Sequence, residues 1–403
     1  MTRALTILFL SCLLFACSTE TATSFEVPKL LDRGAAIQNG KEWETVANRY
    51  GSATAAIRSN PESWQNYLTV AEVFVNEARV TGEHGHYYPA ALKVLNHILE
   101  NETEPTDERF RALALKSGVQ LSQHEFAEAL ETGLAAIQLN PYNAQVFGAV
   151  TDAYVELGEY DKAIAAAEQM VKIRPDLRSY SRISYLREIH GDIEGAIEAM
   201  DMAAKAGMPG YEETAWARLT LGDLYKQYGK LAEAEGQYRT ILMQRENYPF
   251  AIAALADVAM EEKNYEEAER LLQQAMNIIP EVGFYEQMAH LYVETGRQEE
   301  ADKLLEEIYV MLQDDVDSGH NMNMEYARLH LELTKNYEEA LRYAKSELVK
   351  RPENIDVNRL LAVIHHARGE DDLARKHAVA AARTDSKHPE LLEINSQLAL
   401  SDS

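Results

Sequence analysis

Apolar and polar positions along this chain follow a helical period, and the pattern itself recurs. In residues 144–176, Phe147, Val150, Thr151 and Tyr154 fall at positions 4, 7, 8 and 11 of the segment. That spacing places all four on one helical face. Gly158 interrupts the run, a second amphipathic stretch "YDKAIAAAEQMVKI" follows, and Pro175 stops it. The phrase returns as "KNYEEAERLLQQAMNIIP", ending at Pro280, and as "KNYEEALRYAKSELVKRP", ending at Pro352. Each unit predicts two helices joined by a tight turn.

The turn needs a residue that tolerates positive φ. Gly158, Gly191, Gly229, Gly296 and Gly369 supply one. Two units have Lys263 and Lys335 there, followed by Asn264 and Asn336. Asparagine is the next most tolerant residue, so the asparagines are expected to preserve these turns. Pro141, Pro175, Pro280 and Pro352 close the second helices, since proline cannot continue one.

One alanine marks every unit: Ala91, Ala129, Ala163, Ala196, Ala234, Ala268, Ala301, Ala340 and Ala374. Where the helices should cross, position 8 is small at Ala71, Ser117, Thr151, Ser184, Gly222, Ala256, Ala289 and Ala362. Arg328 breaks this rule and predicts a distorted unit. The period of about 34, with a small residue at 8 and the alanine at 20, resembles the tetratricopeptide repeat across about residues 62–388. The resemblance implies an all-α fold, a TPR solenoid in which antiparallel helix pairs form a right-handed superhelix. Successive alanines are 38, 34, 33, 38, 34, 33, 39 and 34 residues apart, which suggests growth by duplication of a three-repeat block.

Composition agrees with helices: apolar residues make up 46% of 403, with glycine and proline sparse. The net charge of −26 argues against nucleic acid, which requires a basic face, and favours basic partners. Both cysteines, Cys12 and Cys17, precede residue 18, leaving no disulfide framework or thiolate metal site in the body. The opening "MTRALTILFLSCLLFACSTE" reads as a secretory signal. Leu14-Phe15-Ala16-Cys17 resembles the lipobox of bacterial lipoproteins, which implies cleavage before Cys17 and its acylation. Several acyl chains give stable anchoring. Ser18, where a retained inner-membrane lipoprotein often has Asp, suggests the outer membrane, with the body facing the periplasm or the cell surface.

The expected organisation is a signal peptide (1–16), lipidated Cys17 and a flexible tether (17–29), N-terminal helices or a degenerate repeat (30–61), about nine repeats (62–388), and a capping helix and tail (389–403). The tether would span about 20 Å root-mean-square.

Catalytic motifs are missing from the sequence: no Gly-rich phosphate loop, GxSxG, HExxH or CxxC occurs. No enzyme activity, cofactor or metal is expected. His84 and His86 form an HxH in the insertion before Ala91, but two ligands do not define a site. His365, His366 and His377 read as packing or solvated residues.

In repeats of this type, positions 2, 5, 9, 12 and 13 of the first helix face a concave groove. The resemblance places Asp152, Glu156, Trp216, Asp223, Lys226, Phe250, Asp257, Glu261, Glu286, His290 and Glu294 there, with Arg359 and His366 further on. Asp152, Asp223 and Asp257 occupy position 9, where repeats that grip a peptide's terminal carboxylate carry basic or amide groups, so this is not expected to be a carboxylate clamp. An acidic groove with Trp216 and Phe250 as anchors suits a basic or amphipathic protein segment. The expected function is a non-enzymatic interaction scaffold that is similar to outer-membrane TPR lipoproteins assisting pilus-secretin assembly or recruiting peptidoglycan enzymes. A glycan- or nutrient-binding accessory role is the alternative; Trp43, Trp64 and Trp216 are too scattered to suggest an aromatic platform.

Overall fold

The computed structural model describes residues 25–400, so Cys17 and the signal segment lie outside the described residues. Within that span helix is the only regular secondary structure and there is no strand. α1 (Glu42–Ser59) precedes nine antiparallel helix pairs. The first four are α2 (Trp64–Thr81) with α3 (His84–Asn101), α4 (Asp107–Ser122) with α5 (Phe126–Leu139), α6 (Ala144–Glu156) with α7 (Tyr160–Ile173), and α8 (Leu177–Ile189) with α9 (Ile193–Ala206). Then come α10 (Glu212–Gln227) with α11 (Leu231–Gln244), α12 (Pro249–Glu261) with α13 (Tyr265–Ile278), and α14 (Val282–Glu294) with α15 (Gln298–Asp317). The last pairs are α16 (Asn323–Glu332) with α17 (Tyr337–Lys350) and α18 (Ile355–Ala367) with α19 (Asp371–Ala381), followed by α20 (Pro389–Leu400).

Each recurrent alanine is fully buried where the second helix meets the first. The small residue opposite it does more than leave space in two pairs. Ser117 Oγ donates to the Ala129 carbonyl and Ser184 Oγ to the Ala196 carbonyl, both at 2.7 Å. In the fifth pair the crossing is filled by Tyr238, whose ring would lie 2.3 Å from a Cβ on residue 222. Only glycine fits there. After several of the prolines, Asn143, Asp176 and Asn354 cap the next first helix with side-chain oxygens.

Three local expectations are corrected. Lys263 and Lys335 adopt positive φ themselves, at 60° and 53°, while Asn264 and Asn336 stay at −90° and −86°. Asn336 instead caps α17 through the Glu339 amide. His124 takes the left-handed position in the second pair, with φ of 61°. Next, Arg328 does not occupy the crossing of the eighth pair. Ala327 lies there fully buried, because α16 ends early and its turn accommodates one extra residue around Leu333 and Thr334. Finally, the tether does not extend to residue 29: Tyr50 donates to the Pro28 carbonyl at 2.7 Å, and the His86 ring lies 2.9 Å from the Lys29 carbonyl. Beyond it, Arg33 forms a buried two-pronged ion pair with Glu77, at 2.6 and 2.7 Å.

First helices of neighbouring pairs pack on one another, α2 on α4, α4 on α6 and α6 on α8, which puts them on the inside of the curve. The curve is tight enough to close. The turn edge of the first four pairs meets the connections that follow the sixth to ninth pairs. Gly82 lies against Ile279 and Glu281, and the Asn321 amide donates to the Gln123 carbonyl at 3.0 Å. Glu156 pairs with Arg351, Tyr160 Oη accepts from the Ile355 amide at 2.9 Å, and Gly191 abuts the Asp385 carbonyl. Ahead of these, Glu42 binds Arg245 at 2.8 Å and the Ala36 carbonyl accepts from Asn247 at 3.0 Å. Side-chain hydrogen bonds along this seam join residues such as 123 and 318, 195 apart, and 36 and 247, 211 apart. Successive superhelical turns are therefore stacked edge to edge.

Candidate functional site

Closure turns the concave face into an enclosed inner surface. Its residues converge from helices distant in sequence: Tyr185 Oη of α8 donates to Asp356 of α18 at 3.2 Å, 171 residues on. Arg359 beside it binds Asp356 at 2.6 Å and Glu390 at 2.9 Å.

Most of the residues expected to line the groove already have partners. Asp152 is held by Arg182 through two bonds of 2.9 and 2.5 Å, and burial still raises its pKa. Glu156 belongs to the seam. It pairs with Arg351, and its carbonyl accepts from Asn354 at 2.9 Å. Burial pushes the Glu156 carboxyl up to about 7, with Arg351 opposing. Asp223 accepts from Tyr238 Oη at 2.7 Å, and Lys226 pairs with Asp257. His290 lies 3.5 Å from Glu332, and Glu294 accepts from Tyr265 at 2.7 Å. His366 lies 2.8 Å from Asp371. Phe250 packs edge-on against Phe284 at 5.5 Å and joins the core. Trp216 remains 43% exposed on α10, and Glu261 is exposed at the end of α12. The dense line of free acids expected from position 9 is thus largely neutralised from within. Once the helices stack, Arg182 on the following repeat meets Asp152 and Lys226 on the preceding repeat meets Asp257.

Two carboxylates stand apart. Glu281, just before α14, and Glu286, in its second turn, are half-buried and carry no hydrogen bond or ion pair among the described residues. Burial raises Glu281 to about 7, reinforced by Asp315 and Glu286. Burial likewise raises Glu286 to about 7, with His290 opposing and Glu325 and Glu332 adding repulsion. Both carboxyls are desolvated; Glu281 faces other acids, whereas Glu286 stands among acids with His290 and Arg328 opposing them. Glu286 was expected in the groove, but Glu281 was not. It lies in a connection, and only the seam against Gly82 encloses it.

The histidines do not assemble a metal centre. Residues 84–88 open α3, and His84 faces His320 with ring centroids 6.2 Å apart while His86 turns to the Lys29 carbonyl. Burial, then His320, lowers His84 to about 4. His365 stacks on His377 at 5.5 Å. Among the described residues no three metal-ligating side chains converge. No two of the three tryptophans stack among the described contacts: Trp43 lies under Arg33, Trp64 against His97, and Trp216 on α10.

Two family models described as tetratricopeptide repeat match the chain, over residues 152–211 and 251–283. No curated protein matches its sequence. Similar solved structures include the APC/C hetero-tetramer Cut9–Hcn1, with 14% identity over 90% of this chain and 61% of that one and a TM-score of 0.49. This chain therefore spans about three fifths of that structure's length. A thermophilic TPR protein of Thermus thermophilus has 20% identity over 49% of this chain and all of that one, with a TM-score of 0.42. Pseudomonas aeruginosa PilF has 15% identity, 60% and 98% coverage and a TM-score of 0.40. None of these likenesses bears on a partner. The chain is thus an all-α solenoid of stacked helix pairs of the tetratricopeptide-repeat type, two stretches of which match tetratricopeptide-repeat models.

Proposed function

We propose that this protein is a non-enzymatic interaction scaffold, held to a bacterial envelope membrane by acyl chains on Cys17. Its inner surface takes a basic or amphipathic segment of another envelope protein and so assists assembly or recruitment. The observation that carries this reading is the pair Glu281 and Glu286, two desolvated carboxylates that form no ion pair among the described residues. A lysine or arginine brought between them supplies the missing counter-charge. Phosphate backbones are repelled by the same groups. The closed seam directs a segment in along the superhelix axis.

The pH dependence has a definite sign. Both carboxyls are raised from 4.5 to about 7 in the fold. Between these values the folded chain holds more protons than the unfolded one, so their contribution to stability falls as pH rises through this window. Charge for a cationic ligand appears as pH rises through about 7. Binding of a lysine-rich peptide to the full chain, followed by calorimetry, should strengthen from pH 6 to pH 8 and release protons near pH 7. The double substitution Glu281→Gln, Glu286→Gln should weaken it severalfold and flatten the pH profile. Unchanged affinity in that variant would sink the acidic-surface reading.

A further inference from the structure

The segment ahead of α1 fixes where the chain leaves the body. Phe25 stacks on His97 with centroids 4.1 Å apart and meets Tyr67 at 5.5 Å. Tyr67 lies in the first turn of α2 and His97 near the end of α3, so Phe25 sits where the connections between pairs run. From there the backbone crosses the pair towards its turn, where Arg33 meets Glu77. The chain therefore emerges at the connection edge of the first pair. That edge is the one left uncovered, because the seam consumes the opposite edge of the first four pairs.

The same free edge carries the connections 140–143 and 207–211. Their apolar tips project into solvent: Tyr142 is 82% exposed, Met208 65% and Tyr211 61%. Arg245 ties the second connection to the end of α11 through the Gly210 carbonyl at 3.1 Å, holding its tip in place.

Cys17 precedes Phe25 by eight residues. Eight residues reach at most about 28 Å in any conformation. Helices of this length are about 20–24 Å tall, so the far edge of two stacked turns lies about 40 Å away. An anchor at Cys17 can bring only the near edge to a membrane.

We infer that the edge bearing Tyr142, Met208 and Tyr211 rests on the phospholipid bilayer that holds the Cys17 acyl chains. This rests on the anchoring proposed above. Tyrosine rings suit the headgroup level, with an apolar body and a polar tip. Glu102 and Glu104 on the same edge give no attraction to anionic lipid, so the acyl chains supply the affinity and the edge supplies the orientation. The superhelix axis then stands along the membrane normal, and the far mouth of the inner surface opens away from the bilayer.

The full lipidated chain, reconstituted in phosphatidylethanolamine–phosphatidylglycerol vesicles, tests this. Single labelling sites at Tyr142→Cys and Tyr211→Cys on the near edge are compared with Glu262→Cys on the far one. Flotation, with Cys17→Ala as control, reports the anchor; bimane quenching by brominated lipid reports the edge. Severalfold stronger lipid quenching at 142 and 211 than at 262 is expected, with protection from iodide. Equal quenching at both edges in a floating protein overturns the orientation alone. Protection from iodide without lipid quenching points to a protein covering the edge, and overturns it too. Failure to float overturns the anchor and this inference together.

Discussion

Ser117 and Ser184 show why the crossing residue is not simply small. Each places a hydroxyl where the facing alanine's carbonyl accepts it, inside a buried contact. Such a bond leaves neither group orphaned when the helices close. Lys263 makes the opposite point. A β-carbon at φ of 60° is disfavoured by about 1 kcal/mol, and the neighbouring asparagine does not relieve it. Lys263→Gly should therefore raise stability by about 1 kcal/mol in urea unfolding, within the range for a left-handed site. Asn264→Gly, at a position of ordinary φ, should not; the reverse ranking would return the turn to the asparagine.

At the scale of elements, register is adjusted by single residues in turns. In the eighth pair, α16 covers only ten residues, and the extra turn residue slides Ala327 into the crossing while Arg328 reaches Glu332 and Glu390. Ala327→Leu should cost about 1–3 kcal/mol by overpacking. Arg328→Ala, which removes partly exposed ion pairs, should cost less than about 1 kcal/mol. Thermal melts of the two variants decide between the registers. The long spacings also resolve into elements. α4 and α10, three pairs apart, both have 16 residues where α6, α8 and α12 have 13, whereas the third long spacing lengthens α15 to 20. The three-unit rhythm is thus a shared helix extension in two of its three appearances.

For the whole molecule, the seam is the controlling contact. It is built largely from ion pairs and hydrogen bonds between side chains and backbone, with glycine at Gly158 and Gly191 because the facing backbone comes too close for a side chain. A Cβ on residue 158 would lie 2.5 Å from the Glu353 backbone, whereas one on residue 229 meets nothing within 4 Å. Both glycines have positive φ, 77° and 76°, so backbone strain is matched. Gly158→Ala should therefore loosen the seam and enlarge the radius of gyration in small-angle scattering, and Gly229→Ala should leave it unchanged. Equal scattering from the two would mean that this contact does not hold the superhelix closed.

The sequence by itself determined what is local and periodic. Apolar spacing, the recurrent alanines and the glycine turns specify helix pairs, because those signals act between residues within one unit. By resemblance the sequence also pointed to Asp152, Glu156 and Asp223 as groove positions, of which Glu156 lies at the seam. It could not say that Arg182, Arg351 and Tyr238 would occupy them. Arg182 is one repeat away, Arg351 is 195 residues away, and Tyr238 comes from the second helix. Glu281 was invisible for the same reason: its enclosure needs Gly82 from the previous superhelical turn. Only the tertiary structure decided closure, because the curvature that brings the two edges together is the sum of small rotations at each helix-pair interface. No single repeat encodes that sum, and on it depends which charges stay unpaired inside and which edge remains free.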